Sequence, residues 1–253
     1  MGLHRVAHRG YSAVAPENTL PALVAAVLAG ATFVEFDVRT TADGVPVVIH
    51  DRTVDRTTDG AGPVDELTLA EVRGLDAGTW FSSAHAGARV PLLSEALDLL
   101  MPYVLPAGAA PAGAVELLLE IKRPATLTEV ETILGQVADR GLFDRTVVQS
   151  FDPDVVRLVR AVAPGVRRGL LRLRIDDETV PLSKELDVVC CNPPVGDVLG
   201  DPATMAELLG AGIDVMAWTA NDSAQWPVLL DAGVAGLITD RVGDLTGWSL
   251  ADP

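Results

Sequence analysis

Short apolar segments and helix-like segments alternate along this chain from one end to the other. The expected strands are short, apolar and mostly β-branched, as in strands that are buried on both faces. They lie at residues 3–8, 32–38, 115–121, 146–150, 167–171, 187–191, 213–218 and 235–239. Helical patterns lie between them, at 19–29, 94–102, 126–140, 153–163, 202–210 and 222–231. This alternation predicts a parallel sheet with helical crossovers.

Eight strands in 253 residues favour a closed (β/α)8 TIM barrel over an open sheet. We expect residues 1–253 to form this single domain. The fifth unit has little periodicity over 172–186, which predicts a short or missing helix, and the stretch 105–114 predicts a flexible loop without a function. Residues 51–92 exceed a normal connection and contain a weak helical pattern at 68–73. They predict a small insertion after strand two that lies over one mouth of the barrel as a lid.

Several helix ends carry capping signals. Asn18 is expected to cap the first helix, and Thr126 or Thr128 the third. Asp152 and Asp201 each precede a proline, which is favoured at the first helical position.

The charge balance of the chain limits its partners. It carries 35 acidic against 19 basic residues, a formal net charge of −16. This surplus repels nucleic acid phosphates and anionic membrane surfaces at long range. An anionic small molecule stays compatible with it, because a bound divalent cation inverts the field locally. We therefore expect a small-molecule partner and no nucleic acid, while the composition predicts no particular oligomeric state.

Apolar content and cysteine usage bear on location. The longest apolar stretch, PALVAAVLAGATFV, is too short to cross a bilayer, so no stable membrane insertion is expected. Charged and polar side chains interrupt the N-terminal segment, which does not resemble a signal peptide. The two cysteines, Cys190 and Cys191, are adjacent, a spacing that rarely allows a disulfide bond. A reducing, cytoplasmic location is expected.

Reactive side chains follow the expected strands at the points where the strands end. In TIM barrels the active site forms at the carboxyl ends of the strands, so these side chains are expected to share one rim. The candidates are His8, Arg9, Glu35, Asp37, His50, Glu120, Lys122, Gln149, Ser150, Trp218 and Asp240.

Three of these candidates are carboxylates suited to a metal ion. Glu35 and Asp37 are spaced i, i+2, so a strand points both to the same face. Glu120 adds a third hard oxygen ligand, and such a set suits one divalent cation, Mg²⁺ or Ca²⁺. An ion pair between Glu120 and Lys122 inside the barrel is the structural alternative for that pair.

The remaining candidates suit proton transfer and phosphate binding. His8 and His50 can serve as general base and general acid near neutral pH. Arg9 offers a rigid fork and Lys122 a point charge to the oxygens of a phosphate. Within this set, Asp240 is expected to be structural. Outside it, Glu17 and Asn18 fit a helix cap as well as a site, and His4 and His85 are expected to be structural.

The ordered motifs of the chain resemble those of the glycerophosphodiester phosphodiesterases. The motifs are HRG, PENT, EFDVRTTADGVPVVIHD, PLLSEAL, LEIK, QSF, AWTAN and ITDR, and they cover nearly the whole chain. The resemblance implies a TIM barrel with a small insertion after strand two. It also implies metal-dependent hydrolysis of glycerophosphodiesters to sn-glycerol 3-phosphate and an alcohol such as choline or ethanolamine. One departure is Val242, where the family often has proline after ITDR.

The resemblance also implies roles for particular residues. It makes His8 and His50 the acid–base pair, and Glu35, Asp37 and Glu120 the ligands of the metal ion. It places Arg9 and Lys122 at phosphate-binding positions and Trp218 in the pocket wall. In the family, a glycerol hydroxyl is thought to attack first and form a cyclic phosphate that water then opens.

Two other functions compete with this interpretation. The same barrel could act on lysophospholipids as a phospholipase D or lyase, which an apolar, aromatic rim would favour. The low aromatic content of 4% and the acidic surplus argue against it. The chain could also be a catalytically silent barrel that only binds phosphorylated ligands or a partner. Loss of either histidine, His8 or His50, would favour that function, and both are present. An amidohydrolase is not expected, because strand one contains no His-x-His.

Overall fold

A computed structural model describes residues 2–104, 114–123 and 125–251. The strands are β1 His4–Ala7, β2 Phe33–Thr40, β3 Pro46–Val48, β4 Glu116–Ile121, β5 Thr146–Ser150, β6 Arg167–Leu171, β7 Cys190–Asn192, β8 Asp214–Ala217 and β9 Gly236–Thr239. The α-helices are α1 Leu20–Leu28, α2 Leu69–Gly74, α3 Leu93–Leu100, α4 Leu127–Asp139, α5 Pro153–Val162, α6 Thr179–Glu185, α7 Val195–Gly200, α8 Pro202–Gly210, α9 Trp226–Asp231 and α10 Val242–Ala251. The loop expected at 105–114 lies, apart from Ala114, outside the described residues.

The sheet closes on itself. Parallel pairing runs from β2 through β4, β5, β6, β7, β8 and β9 to β1, and β1 pairs in turn with β2. The remaining strand, β3, pairs antiparallel with the carboxyl end of β2 and stands outside this ring. The TIM-barrel prediction is therefore confirmed, and the extended segment before His50 is an added edge strand.

Alternate residues of the parallel strands fill the inside of the barrel. The interior cluster consists of Val6, Phe33, Leu118, Val147, Cys190, Met216 and Ile238. Side chains two residues further along a strand point the same way, one step nearer its carboxyl end. That step leads to His8, Glu35, Glu120, Gln149, Asn192, Trp218 and Asp240. The two-residue period of the strands thus places the polar candidates directly above the apolar interior cluster.

The helices cover the outer face of the barrel. The face of β2 opposite Glu35 presents Phe36, which joins a large cluster with Leu97 of α3 and Ile133 of α4. A second cluster on the other half includes Leu208 of α8 and Trp226 of α9. Burial of each such large apolar side chain stabilises the fold by about 1.5–3 kcal/mol.

Residues 51–92 form a compact segment beside β3. Val54, Val64, Val72 and Val90 pack together with Val47 of β3 in a small apolar cluster of their own. The helix expected at 68–73 is confirmed as α2, whose N-terminus carries a capping box between Thr68 and Glu71.

Two helices are present where none was expected. α7 and α10 were missed because α7 has only six residues and α10 contains glycines at 243 and 247, which disfavour a helix interior. The helix of the fifth unit, α6, is short, as the sequence predicts. The strand expected at 187–191 begins only at Cys190, because Asp187 adopts a positive φ of 53° after α6.

Across the described ranges, we find no helix with the length and apolar character that a membrane crossing demands.

The loop after β1 depends on glycine at position 10. Gly10 has a φ of 77°, and an added Cβ would lie 2.6 Å from the carbonyl carbon of Ala22 in α1. Gly44 has a similar φ of 80° but open space around its Cβ position.

We expect Gly10→Ala to destabilise the protein more than Gly44→Ala. Left-handed backbone costs an L-residue about 1–2 kcal/mol at either site. Only position 10 adds overpacking, which costs about 1–3 kcal/mol more. Urea unfolding of both variants measures the difference, and equal losses of unfolding free energy would disprove the clash.

Candidate active site

A cavity opens at the carboxyl ends of the barrel strands. It contains about 410 Å³ of space free of protein atoms, part of which is open to solvent. Its wall contains the expected site residues except Asp37, Ser150 and Asp240, and Asp37 is buried with 1% exposure. The lining residues are His8, Arg9, Glu35, His50, Glu120, Lys122, Gln149, Phe151, Leu171, Trp218, Thr219 and Ile238. Most of the residues expected to share one rim therefore line one cavity.

Three buried carboxylates meet in this cavity. Glu35 and Asp37 lie on the inner face of β2, and Glu120 stands opposite Asp37 on the neighbouring strand β4. One oxygen from each carboxylate lies within 4.8 Å of one from each of the others. The i, i+2 spacing in β2 and the strand pairing are what bring them together.

Lys122 provides positive charge at the floor of the cluster. Its Nζ lies 2.8 Å from Asp37 Oδ1 and 2.5 Å from Glu120 Oε1. Burial alone would lower the pKa of Lys122, but Asp37 and Glu120 outweigh it and raise that pKa. Burial would likewise raise the pKa of Asp37, but Lys122, His50 and Arg9 together hold it well below its usual range.

In the other two carboxylates, Glu35 and Glu120, the nearby cations do not outweigh burial. Burial, reinforced by the charge of Asp37, raises the pKa of both Glu35 and Glu120 above the usual range. The negative charge of the three carboxylates thus exceeds the positive charge that Arg9 and Lys122 supply. Three buried oxygen donors with excess negative charge fit a hard divalent cation.

Arg9 joins the loop after β1 to the cluster. Its backbone adopts a positive φ of 57°, and its N–H donates to Glu35 Oε2 at 2.7 Å. Its guanidinium donates to Glu17 Oε1 at 2.8 Å, while Nε lies 3.5 Å from Asp37 Oδ2. Among the described residues, that buried Nε has no hydrogen-bond partner. Arg9 is therefore a cation with spare donor capacity at the cavity wall.

Asn18 supports the metal-binding candidate Asp37 and does not cap the first helix. The cap position of α1 is Thr19, whose side chain makes no capping hydrogen bond. Asn18 has a φ of 56°, its Nδ2 donates to Asp37 Oδ2 at 2.7 Å, and its Oδ1 accepts from the Asp37 N–H at 3.1 Å. The capping prediction is wrong because a buried carboxylate from β2 competes for the amide.

His8 is held by a carboxylate from the last strand–helix loop. Its Nδ1 lies 2.6 Å from Asp240 Oδ1, which also accepts from Ser12 Oγ at 3.0 Å. Asn221 Nδ2 donates to the other oxygen of Asp240 at 2.6 Å. Despite its burial, these donors lower the pKa of Asp240 to about 2. Asp240, expected only to be structural, is thus a direct partner of a candidate catalytic histidine.

His50 has a similar carboxylate partner. Its Nδ1 lies 2.6 Å from Asp51 Oδ1, and Arg56 Nε donates to Asp51 Oδ2 at 2.6 Å. The pKa of His50 is lowered, chiefly by burial and further by Lys122 and Arg9. The ring is therefore neutral near pH 7.

Arg56 bridges two parts of the site that lie far apart in sequence. Besides Asp51, it donates through both Nη atoms to Glu17 at 2.7 and 2.8 Å. Glu17 in turn accepts from Arg9. The sequence did not suggest this bridge, because Arg56 and Glu17 are 39 residues apart and no periodicity connects them.

Aromatic side chains form another wall of the cavity. Trp218 Nε1 donates to the backbone oxygen of Asn192 at 2.8 Å, which fixes the indole above β7. Phe151 meets the Trp218 ring edge-on at 5.6 Å. Lys122 Nζ lies over the Phe151 ring, 5.9 Å from its centre.

Two carboxylate-bound histidines, buried carboxylates and two cations share one cavity at the end of a TIM barrel. Together the fold and the site define a class, that of TIM barrels whose cavity suits proton transfer and the binding of an anion. Comparison with known proteins identifies the family.

The chain matches the glycerophosphoryl diester phosphodiesterase family over residues 8–244. It is 33% identical over 239 residues to the glycerophosphodiester phosphodiesterase of Caldanaerobacter subterraneus subsp. tengcongensis, covering 93% of each chain. The crystal structure of a glycerophosphodiester phosphodiesterase from Agrobacterium tumefaciens is similar, with a TM-score of 0.81, 29% identity and coverage of 98% of this chain and 100% of that one. An Oleispira antarctica phosphodiesterase in complex with the product sn-glycerol-3-phosphate gives a TM-score of 0.88, 27% identity and coverage of 98% and 96%.

The chain belongs to the glycerophosphoryl diester phosphodiesterase family, and it is accordingly a phosphoric diester hydrolase. The family resemblance found in the sequence is confirmed.

We expect Arg56→Met to lower kcat/KM by about 10- to 100-fold, because Asp51 and Glu17 lose their shared cation and misplace His50 and Arg9. Arg52→Met is the matched control, since Arg52 lies in the same segment, is 65% exposed and contacts Asp65 only at 3.7 Å. Steady-state kinetics with added guanidinium ion would test the assignment, because the ion should partly restore Arg56→Met. Equal effects of the two variants, without rescue, would contradict it.

Proposed function

We propose that this protein hydrolyses glycerophosphodiesters to sn-glycerol 3-phosphate and an alcohol by metal-dependent acid–base catalysis with His8 and His50. The observation that carries the proposal is the pair of histidines in one cavity with the buried carboxylate cluster. Each of them is bound through Nδ1 to an aspartate. The product bound in the Oleispira antarctica relative agrees with this product class.

The aspartates define which histidine nitrogen takes part. A carboxylate only accepts hydrogen bonds, so Nδ1 of His8 and of His50 carries the proton toward Asp240 and Asp51. This leaves Nε2 as the nitrogen that exchanges a proton with the substrate, unprotonated in the ring that acts as the base and protonated in the ring that acts as the acid. When Nε2 is protonated, the ionised aspartate stabilises the imidazolium. Proton removal from the attacking group and proton delivery to the leaving oxygen then occur at Nε2 of the two rings.

Arg9 and Lys122 are the groups that bind the phosphate. Both line the cavity, and their charges face the position where negative charge increases during phosphoryl transfer. Arg9 is oriented by Glu17, and Lys122 by Asp37 and Glu120. These fixed contacts reduce the reorganisation that the transition state requires.

Glu35, Asp37 and Glu120 would hold one divalent cation, Mg²⁺ or Ca²⁺. Their buried, oxygen-only donor set and the raised pKa values of Glu35 and Glu120 support this assignment. When bound, such an ion acts as a Lewis acid on a phosphoryl oxygen. Asn18 orients the ligand Asp37 through its two hydrogen bonds.

Trp218 and residues 51–92 complete the proposed site within a single domain, 1–253. Trp218 forms a rigid wall for the substrate, held by Asn192. The segment 51–92 acts as an insertion over the barrel mouth, which is supported by the contacts that Asp51 and Arg56 make with His50 and Glu17.

We expect His8→Ala and His50→Ala each to reduce turnover of glycerophosphodiesters by at least about 100-fold, since each removes a positioned proton carrier. His85→Ala is the matched control, because His85 lies in the 51–92 segment, where it packs against Phe81. Release of glycerol 3-phosphate measures turnover, and circular dichroism verifies folding. A folded His8 or His50 variant with the wild-type rate would refute the acid–base assignment.

We expect dialysis against EDTA to abolish turnover and Mg²⁺ or Ca²⁺ to restore it. In calorimetric titration with these ions, Glu120→Gln should weaken binding by more than about tenfold, because one charged oxygen ligand is lost. Glu116→Gln is the control on the same strand, since Glu116 pairs with Arg145 and Arg167 and lies outside the cluster. Full activity in metal-free buffer, or equal ion affinities of the two variants, would contradict the carboxylate site.

A further inference from the structure

A second cavity adjoins the active-site cavity on the barrel rim. The two share Phe151 and Leu171, and the second contains about 500 Å³ of space free of protein atoms. Its other lining residues follow β4 and β6, and they include Arg123 and Leu173. A substrate whose phosphate lies in the first cavity can therefore extend its leaving alcohol into the second.

The adjoining cavity is positively charged. Three arginines, Arg123, Arg172 and Arg174, line it against a single acid, Asp176. The neighbouring acids Asp177 and Glu178 do not line it. This local surplus of positive charge contrasts with the net charge of −16 of the whole chain.

The arginines retain donor capacity for a ligand. Arg172 binds Asp176 through Nη2 at 2.5 and 2.6 Å, but its buried Nε has no acceptor within the ranges that the structure describes. Arg174 is 80% exposed, and its contact with Asp176 is 3.8 Å long. Within the same ranges, Arg123 makes no ion pair with an acid.

A cationic leaving group fits this rim poorly. Quaternary ammonium groups bind to aromatic faces, and Phe151 and Trp218 are the aromatic side chains at the junction. Lys122 Nζ already lies over the Phe151 ring, 5.9 Å from its centre. A second cation there would be repelled by Lys122 as well as by the arginines.

We propose that this cavity is the leaving-group subsite and that it selects alcohols carrying a negative charge, either a phosphate or a carboxylate. Arginine guanidinium groups match both anions through paired N–H donors. The inference rests on the proposed function, because it assumes that the phosphodiester lies in the first cavity.

The test compares four glycerophosphodiesters that differ only in the leaving alcohol. The alcohols are glycerol, glycerol phosphate, glycerate and choline, and the second and third separate a phosphate from a carboxylate as the preferred anion. We expect kcat/KM to be highest for one or both anionic alcohols, intermediate for glycerol and lowest for choline. Lysophosphatidylcholine is assayed in parallel as a substrate with an acyl chain.

Substitutions of the cavity arginines test whether these residues cause the preference for anionic alcohols. Arg123→Gln and Arg174→Gln should each reduce the ratio of kcat/KM between the anionic and neutral alcohols by about two- to fivefold, as expected for exposed charge pairs. The double variant should reduce it further, and Arg174→Glu should lower it more than Arg174→Gln. Arg157→Gln on α5 removes the same charge elsewhere on the surface and should leave the ratio unchanged.

Several outcomes would overturn the inference. The subsite would be disproved by equal kcat/KM for the four substrates, by a uniform loss in all variants, or by the same effect of Arg157→Gln. Each of these results would leave the proposed function intact. Faster cleavage of lysophosphatidylcholine would assign the cavity to an acyl chain instead. Failure to cleave any glycerophosphodiester with metal present would refute the proposed function as well.

Discussion

The compensation of buried negative charge inside the barrel is the constraint on which the site depends. Glu35, Asp37 and Glu120 are each at most 5% exposed, a burial that isolated carboxylates do not tolerate. Lys122 from β4 and Arg9 from the first loop supply part of the balance, and Arg9 reaches the cluster only in a left-handed backbone conformation. This neutralisation is incomplete, and the divalent cation proposed for the site would supply the missing positive charge.

Much of the fold and the centre of the site could be predicted because strands have a short, regular period. Glu35 and Asp37 point inward while Phe36 packs against the helices, and that alternation is visible in the sequence. The common position of reactive residues at strand ends was visible for the same reason. The cytoplasmic location and the lack of nucleic acid partners rest on composition alone, and they stay predictions.

The supporting residues could not be predicted, because their roles depend on partners distant in sequence. Asn18 carries a local capping signal, and only the folded chain reveals Asp37 beside it. Asp240 lies 232 residues from His8. Arg56 lies in an irregular stretch with no period that would show its direction. Short helices such as α7 were missed for a different reason, namely that one or two turns give too little pattern.

The Arg56 bridge also has a mechanical consequence. One guanidinium ties the segment 51–92 both to His50, through Asp51, and to Arg9, through Glu17. The segment rests on a small valine cluster, whereas the barrel has two large ones, so it belongs among the parts that open most readily. Transient detachment of the segment would release both His50 and Arg9 from their carboxylate partners in a single event, while the barrel beneath stayed folded. The proposed acid–base chemistry and phosphate binding would then be lost together.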